Sequence, residues 1–408
     1  MKRKRKKIMI LLMMIIFTLL TTGCWNRREL NEIAIVTAAG IDPGPKKGEI
    51  TLVYQIVNPS SISGKQGVSS SMTPFITLKT SGRTQFEAIR KATKEMSRRL
   101  YFAHLQAWVI DENLAKKSGV RDFLDLLYRD PEIREDIPIL ITKNCKVESV
   151  LSTQFPIDSV NGIAIKKHLE STQKSGSFTR QVELRELINM LTSPTRSAIV
   201  PYIFVSNPIN PKKDTLEATQ ASKQESVIKT EGFAVFKQDK VIGYLNSEEA
   251  RAVLWVTDEI DKTVIVVPYQ GEDHSIEIIN SKTKIKTTLI HGKPEVNLEI
   301  KIDANVGSVL GPIDLTKQSV IKDLEKATNA TVKKNIEHVL KKVQKSYKVD
   351  IFGFGEAFER QHSKEWKTLK KDWEKEFVDL TVHVKVNTTI GEIGMKNKSF
   401  QIEMKGNK

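Results

Sequence analysis

Cysteine is scarce in this chain of 408 residues, which contains only Cys24 and Cys145. Cys24 is assigned to lipid attachment below, so Cys145 has no partner for an intramolecular disulfide, and the fold must depend on the burial of apolar side chains. Cys145 ends the sequence Ile-Leu-Ile-Thr-Lys-Asn-Cys, directly after an apolar run typical of a strand. This position favours a buried small side chain over a reactive thiol.

Short catalytic motifs are also missing. The sequence has no His-Glu-x-x-His or Cys-x-x-Cys zinc pattern, no Gly-x-Ser-x-Gly elbow and no Walker loop. Gly353-Phe354-Gly355 is not a dinucleotide fingerprint, because the third glycine would fall at Phe358. The seven histidines are isolated in the sequence: His104, His168, His274, His291, His338, His362 and His383. We therefore expect no catalytic residue, no metal site and no cofactor.

The N-terminus combines a basic segment with an apolar one. Six lysines and arginines occupy residues 2–7, and an apolar run interrupted only by Thr18 extends from Ile8 to Leu20. The run is shorter than the roughly 20 residues that cross a bilayer. Together with the small residues that follow, it is typical of an export signal. The sequence Leu20-Thr21-Thr22-Gly23-Cys24 resembles a bacterial lipobox.

This resemblance implies that residues 1–23 are a lipoprotein signal peptide, cleaved after Gly23. It also implies that a diacylglyceryl group is attached to Cys24 through a thioether. Each buried CH₂ of an acyl chain contributes about 0.8 kcal/mol, so two chains hold a protein at a membrane far better than one. An ordinary secretory signal with a chance cysteine is the alternative.

The net charge of +15 overstates the basicity of the exported part. Six of the 64 lysines and arginines lie in residues 1–23, which contain no acidic residue, so residues 24–408 carry 58 basic and 49 acidic residues and a net charge of +9. Such an excess suits a protein near an anionic membrane surface. Nucleic acid is excluded as a partner, because an exported chain seldom meets any.

Two parts of different character follow the signal. Residues 24–205 alternate strand-like and helix-like segments, which is typical of a layered α/β domain. Residues 206–227 are polar and contain two prolines, which predicts a linker. Residues 228–395 begin with alternating segments typical of an antiparallel sheet and continue into helices, and residues 396–408 form a basic tail. The predicted fold is a multidomain mixture of α/β and α+β structure.

The strongest helical pattern covers residues 318–347. Its apolar residues recur on one stripe, while most of its lysines lie off that stripe. The stripe contains Ile321, Leu324, Val332, Ile336, Val339, Val343 and Tyr347. The pattern favours a long helix packed on the predicted C-terminal sheet, with its lysines in solvent. A helix lying on a membrane surface is the alternative.

Three finer predictions concern local structure. A helix is predicted from Thr84 to Leu100, and a last strand from Phe377 to Val386. Trp366 and Trp373 are seven residues apart, so on one helix they would face the same side. We expect them to pack in the core rather than to form a platform for carbohydrate.

Several segments, taken in order, resemble the Ger(x)C family, the lipoprotein subunits of nutrient germinant receptors in endospore-forming bacteria. The resemblance covers nearly the whole chain after the signal. The segments that carry it are Gly23–Glu32, Ile33–Asp42 ending in Ala-Ala-Gly-Ile-Asp, Ala103–Ala115, Phe123–Arg134, Gly232–Phe236, Gly243–Leu245, and Phe352–Gly355 with Trp366 and Trp373.

The resemblance implies a non-enzymatic subunit, anchored through Cys24, that helps to trigger spore germination. Its implied location is the outer face of the spore inner membrane, beside two integral membrane subunits. Whether this subunit contacts the small-molecule germinant is left open. A substrate-binding lipoprotein of a transporter is one alternative, which would require two doubly wound lobes. An anchored cell-wall hydrolase is the other, since a carboxylate pair cannot be recognised from one sequence.

Overall fold

A computed structural model of the chain describes residues 2–20, 29, 31–58, 73–153, 155, 158, 160–206 and 227–392. The strands within these ranges are β1 (Ile33–Pro43), β2 (Ile50–Val57), β3 (Phe75–Gly82), β4 (Arg99–Tyr101), β5 (Ala107–Ile110), β6 (Ile139–Thr142), β7 (Ile199–Ser206), β8 (Val227–Lys237), β9 (Lys240–Leu245), β10 (Thr263–Tyr269), β11 (Glu272–Ile290), β12 (Lys293–Ser308) and β13 (Thr381–Glu392).

The helices in the same ranges are α1 (Lys2–Leu20), α2 (Gln85–Ala92), α3 (Glu112–Lys117), α4 (Arg121–Arg129), α5 (Val147–Ser152), α6 (Asn161–Gly176), α7 (Leu184–Thr192), α8 (Ser247–Val256), α9 (Gln318–Lys342), α10 (Phe354–Gln361), α11 (Ser363–Leu369) and α12 (Trp373–Asp379). A π-helical turn, Val343–Tyr347, continues α9. A 3₁₀ turn, Lys370–Asp372, joins α11 to α12. The fold is a multidomain mixture of helices and two sheets, as predicted.

The first sheet has the strand order β3-β2-β1-β5-β6-β7-β8-β9, with β4 paired to the beginning of β1. Strands β1, β5, β6 and β7 are parallel, and the flanking strands are antiparallel. Helices cover both faces of the sheet. In β5, Trp108 and Ile110 face one core, whereas Ala107 and Val109 face a second core that α5 and α6 complete. Burial on two faces explains why the central strands are continuous apolar runs rather than alternating ones.

The second sheet has the order β10-β11-β12-β13. Its first three strands are antiparallel, and β13 adds to β12 in parallel after the helices have carried the chain back along the sheet. Only one face is buried. Along β12, Val296, Leu298 and Ile300 are buried, while the residues between them are partly exposed. This alternation is what the sequence pattern predicted.

The helix predicted from Thr84 to Leu100 is too long. The structure ends α2 at Ala92, and residues 99–101 form β4 instead. Leu100 pairs with Ala34 of β1 and is buried, so pairing with a distant strand overrides the local helical periodicity.

The last strand was predicted to begin four residues too early and to end six residues too soon. Phe377 belongs to α12, where it lies four residues after Trp373 and is fully buried with it, and β13 begins only at Thr381. Two apolar residues four apart fit one face of a helix, and the strand prediction overlooked that spacing.

The predicted linker at 206–227 separates two strands that are neighbours in one sheet. β8 and β9 follow it in the chain and complete the first sheet, and the second sheet begins at β10. Residues 207–226 and the predicted tail at 396–408 lie outside the described ranges. The division of the chain into two domains at this linker stays a prediction.

The long helix is confirmed as α9 with its π-helical turn. Ile321, Leu324 and Val332 are buried, and α9 packs against β13, β10 and α8. The apolar stripe is therefore used within the fold, and most of the lysines off the stripe are exposed. Among the described residues, no helix is both long enough and apolar enough to cross a bilayer.

A crowded glycine provides a test of the first sheet. Gly232 has a positive φ of 44° at an irregularity between β7 and β8, and a Cβ there would lie 1.9 Å from the carbonyl oxygen of Leu245. Gly292 has a φ of 78° with open space around it. We expect Gly292→Ala to cost about 1 kcal/mol of unfolding free energy from backbone strain alone. Gly232→Ala should cost at least about 3 kcal/mol, because overpacking adds to that strain.

Urea unfolding followed by circular dichroism measures both losses. Equal losses for the two variants would show that the first sheet relaxes around residue 232, against the packing described here.

Candidate functional site

The predicted lipidation site lies outside the described residues. This holds for Cys24, for the cleavage position after Gly23 and for the residues that follow as far as 28. The first strand of the body begins at Ile33, nine residues after Cys24. Ile33 pairs with Arg99 of β4, so the chain joins the first sheet at the place where β1 and β4 begin.

One edge of the first sheet brings several separate segments together. Because β1, β5, β6 and β7 are parallel, their first residues lie at the same edge. Residues 193–198 precede β7 and lie there too. β8 is antiparallel to β7, so the turn at Gln238 and Asp239 also reaches this edge. We call it the amino edge, because it contains the amino ends of the parallel strands.

A cleft of 880 Å³ opens at the amino edge, between the first sheet and the chain that follows α9. Its lining comes from α4, the end of α7, the loop before β7, the β8–β9 turn, the segment around Asp350 and the beginning of α12. The lining residues are Arg121, Asp122, Leu124, Asp125, Tyr128, Ile188, Met190, Leu191, Thr192, Ser193, Pro194, Thr195, Arg196, Ser197, Ala198, Gln238, Asp239, Val349, Asp350, Trp373 and Glu374.

Buried and exposed residues divide the cleft into a floor and a rim. Leu124, Met190, Ala198, Val349 and Trp373 line it and are buried. The rim carries charged side chains. A long ion pair of 3.7 Å joins Arg121 Nε to Asp239 Oδ2, and Lys237 Nζ lies 3.0 Å from Glu374 Oε2. The cleft thus combines an apolar floor with charged surface side chains, a combination common in binding sites.

Asp350 fixes one wall of the cleft. Its Oδ1 accepts hydrogen bonds from the backbone N–H groups of Phe352 (3.0 Å) and Gly353 (2.9 Å). Its Oδ2 accepts from the backbone N–H of Gly355 (2.8 Å) and from Trp373 Nε1 (3.1 Å). One buried carboxylate therefore holds the Phe-Gly-Phe-Gly turn and α12 in place at once.

The same turn joins the two parts of the fold. The backbone carbonyl of Asp350 accepts a hydrogen bond of 2.7 Å from the N–H of Ser197, in the loop before β7. Gly355 sits where a Cβ would come within 2.8 Å of Trp373 Nε1 and 2.9 Å of Thr195 Cβ. A side chain at this position would separate the loop before β7 from α12, so a glycine is required.

Burial raises the pKa of the Asp350 carboxyl above its ordinary value, and its hydrogen bonds act in the opposite direction. Its acceptor capacity is occupied by backbone and indole donors. We therefore assign Asp350 a structural role in the wall of the cleft rather than a direct contact with a ligand.

A second polar network lies at the opposite, carboxyl edge of the parallel strands. Tyr244 donates a hydrogen bond of 3.1 Å from its hydroxyl to Glu112, which also pairs with Lys116 at 2.6 Å. The backbone carbonyl of Tyr244 accepts from the Tyr347 hydroxyl (2.9 Å) and from Lys342 Nζ (3.2 Å). Burial and the neighbouring Glu112 carboxylate raise the pKa of Tyr244, which stays neutral.

This network ties the C-terminal end of α9 to the first sheet. Lys342 Nζ lies 2.7 Å from Oε1 of Glu249, and Glu249 also completes a capping box with Asn246 at the beginning of α8. The Lys342 ammonium therefore connects α8, α9 and β9. Together with the Asp350 turn it holds the two sheets in one arrangement.

Asp42 is a buried carboxylate at the end of β1. Its two oxygens accept hydrogen bonds from the backbone N–H groups of Val147 (2.9 Å) and Glu148 (3.1 Å), at the beginning of α5. Burial raises the pKa of Asp42 to about 6, and the nearby Asp111 carboxylate adds to that rise.

The remaining candidates from the sequence fall into ordinary structural places. Cys145 is only partly buried where a buried side chain was predicted, and burial raises the pKa of its thiol. Trp366 and Trp373 are buried and pack edge to face, with ring centroids 5.2 Å apart, so the core-packing prediction is confirmed. Within the described ranges, no three His, Cys, Asp or Glu side chains are grouped to hold a metal ion.

Sequence reasoning missed Asp350 and the cleft. A signal for Asp350 was present, because an aspartate two residues before a Phe-Gly pair and a helix is typical of a side chain that accepts from the following backbone. The cleft had no such signal, since α4, the loop before β7 and α12 are far apart in sequence.

Comparison with known proteins covers both parts of the fold. Residues 26–205 match the family model described as "Spore germination protein N-terminal domain", and residues 231–394 match "Spore germination B3/ GerAC like, C-terminal". Spore germination protein KC of Bacillus subtilis is 28% identical over 98% of this chain and 99% of its own length. Spore germination protein B3 of the same organism is 21% identical over 92% and 95% of the two chains.

The crystal structure of the GerBC protein shows the same fold. It superposes with a TM-score of 0.54 at 19% sequence identity and covers 87% of this chain and 98% of that one. All of these matches fall within one class, the spore germination proteins. Within that class, the chain belongs to the Ger(x)C family.

Replacing Asp350 tests the wall of the cleft. Asp350→Ala leaves three backbone N–H groups and the Trp373 indole without their acceptor, so we expect a loss of at least about 3 kcal/mol of unfolding free energy. Asp303→Ala, at an exposed position on the second sheet, should change it by less than about 0.5 kcal/mol. Denaturant unfolding measures both. A small loss for Asp350→Ala would mean that solvent replaces the carboxylate, contrary to the assigned role.

Asp42 predicts a pH dependence of stability. Its pKa in the folded chain, about 6, lies above the ordinary value of 3.8. The stability contributed by its neutral form is therefore complete below pH 3.8 and is lost as pH rises through 6. The size of this loss is about 3 kcal/mol.

The difference in unfolding free energy between the wild-type chain and Asp42→Asn, measured at intervals between pH 4 and pH 7, isolates this contribution. The wild-type chain should lose stability relative to the variant as pH rises. A difference independent of pH would show that Asp42 is ionised throughout that range.

Proposed function

We propose that this chain is a lipid-anchored, non-enzymatic subunit of a nutrient germinant receptor, held at the outer face of the spore inner membrane beside two integral membrane subunits. It helps to trigger germination through contacts with those subunits. The observation that carries this proposal is the match of both parts of the chain to spore germination families, joined to an N-terminus with the order of a lipoprotein signal.

The anchor at Cys24 defines where the body can be. Ile33 follows Cys24 by nine positions, and an extended chain over that many steps spans roughly 30 Å at most. The beginning of β1 stays within that distance of the bilayer. Such a tether raises the effective concentration of the body near membrane proteins, so weak contacts suffice for assembly.

The architecture favours a subunit that binds other proteins over a transporter's binding protein or a hydrolase. A transporter's binding protein would require two doubly wound lobes, whereas this chain has one mixed sheet and a second sheet with a solvent-exposed face. The cleft is lined by surface ion pairs and a structural carboxylate that is already fully bonded. These features suit recognition of a partner more than chemistry on a substrate.

The anchor is tested by Cys24→Ala, with Cys145→Ala as a matched control that removes the other cysteine. We expect Cys24→Ala to release the chain from the inner-membrane fraction of spores and to abolish the response to the nutrient that this receptor detects. Both defects follow because acyl chains contributing about 0.8 kcal/mol per CH₂ are lost. Cys145→Ala should remain in the membrane fraction and respond normally.

Immunoblots of fractionated spores and the loss of optical density after nutrient addition measure the two effects. Both variants should still germinate with a stimulus that bypasses nutrient receptors. Normal nutrient germination by Cys24→Ala spores, in a strain without the related receptors, would contradict the proposal.

A further inference from the structure

We propose that the cleft at the amino edge is the docking site for a segment of an integral membrane partner subunit, one that carries a lysine or arginine beside apolar residues. This inference rests on the proposed function and names the surface and the chemistry of the contact.

The position of the cleft matches a partner that is embedded in the membrane. The cleft opens at the edge where β1 begins, and the tether to Cys24 enters at this same edge. β1 and β7 are separated by three strand spacings, about 15 Å. The entry point of the tether and the cleft therefore lie toward the same end of the parallel strands.

The shape fits a short polypeptide segment. A volume of 880 Å³ lies within the range of about 300–1,000 Å³ that is usual for ligand sites. The floor is apolar and already formed, because Asp350 holds the turn beside it and accepts a hydrogen bond from the Trp373 indole. A preformed floor lowers the cost of ordering the site on binding.

The charges of the rim favour a cation. Asp122, Asp125, Asp239 and Glu374 line the cleft near its mouth. Arg121 is the basic residue among them, and it is 80% exposed and 3.7 Å from Asp239. The remaining basic residue of the lining, Arg196, lies 3.7 Å from Glu356 and not among the rim carboxylates.

The ion pairs already present on the rim do not prevent this contact. Asp125 pairs with Arg129 at 3.1 Å and Glu374 pairs with Lys237 at 3.0 Å, and all four side chains are substantially exposed. Exposed pairs of this kind contribute at most about 1 kcal/mol each, so a partner's cation can exchange into them. Tyr128, which is 61% exposed, also offers a ring face to a cation at the mouth.

The experiment uses the full-length, anchored chain in spore membranes. Asp122→Lys combined with Asp125→Lys places two cations on the rim. After detergent extraction, we expect the amount of the two integral subunits that co-purifies with the chain to fall about tenfold or more. The loss is expected because like charges replace a complementary contact. The neutral double variant, Asp122→Asn with Asp125→Asn, should give a smaller loss of the integral subunits. It keeps the test decisive if the lysine variant has a folding defect.

The matched control reverses the charge at two exposed positions that lie away from the cleft. These substitutions are Glu277→Lys and Asp303→Lys, on the open face of the second sheet. Recovery of the integral subunits should be unchanged. Thermal unfolding must be similar for the cleft and control variants. If they are equally folded and the cleft variants recover the subunits as the wild-type chain does, the inference is overturned.

A photocrosslink identifies the occupant. A benzoyl-phenylalanine in place of Tyr128 should crosslink to an integral subunit, at a segment containing lysine or arginine. The same group in place of Phe178, an exposed aromatic residue that does not line the cleft, should not give this product. A crosslink from residue 128 to lipid or to a second copy of the chain would overturn the inference.

The result also separates this inference from the proposed function. If the wild-type chain does not recover the integral subunits at all, the receptor role itself fails. If the wild-type chain and the cleft variants recover them equally, the receptor role stands and only the assignment of the surface fails.

Discussion

The junction between the C-terminal helices and the first sheet depends on one buried aspartate. The Asp350 carboxylate accepts four hydrogen bonds from a turn and a helix, and its backbone carbonyl accepts a fifth from Ser197 in the loop before β7. A buried carboxylate is tolerated only where such donors surround it. The four bonds to the carboxylate fix the turn and α12, and the bond from Ser197, more than 150 residues earlier in the chain, holds that turn against the first sheet.

The cleft is a consequence of that junction. Its floor consists of the residues that meet there, and it lies at the amino edge of the first sheet. At the opposite edge, Lys342 and Tyr347 bind the carbonyl of Tyr244 and make a second attachment between the same two parts. Two attachments on opposite edges restrain rotation, whereas one would act as a hinge, so the two parts are held as a single unit.

Much of the fold could be predicted from local patterns. Apolar runs identified the doubly buried strands, alternation identified β10 to β12, and the spacing from Ile321 to Tyr347 identified α9. The errors arose where a distant partner decides the local structure. Residues 99–101 are a strand because β1 is beside them, and Phe377 is helical because its side chain completes the core around Trp373.

The site was less predictable than the fold. Cys24 was recognisable because export signals are read as linear sequences, and its modification stays a prediction. Asp350 has a local sequence signal, but its importance depends on Trp373 and Ser197, which no short motif connects to it. The cleft exists only in three dimensions. The resemblance to the Ger(x)C family pointed to the right family through the order of weak segments, although none of them defines a binding surface.

The Tyr244 carbonyl also has a consequence for the edge of the first sheet. Tyr244 belongs to β9, the outermost strand on its side of this sheet, and a free backbone carbonyl on such a strand invites a strand from a neighbouring molecule. Because Lys342 and Tyr347 already bind this carbonyl, a neighbouring strand cannot pair with it, and this part of the edge is protected from sheet-to-sheet association.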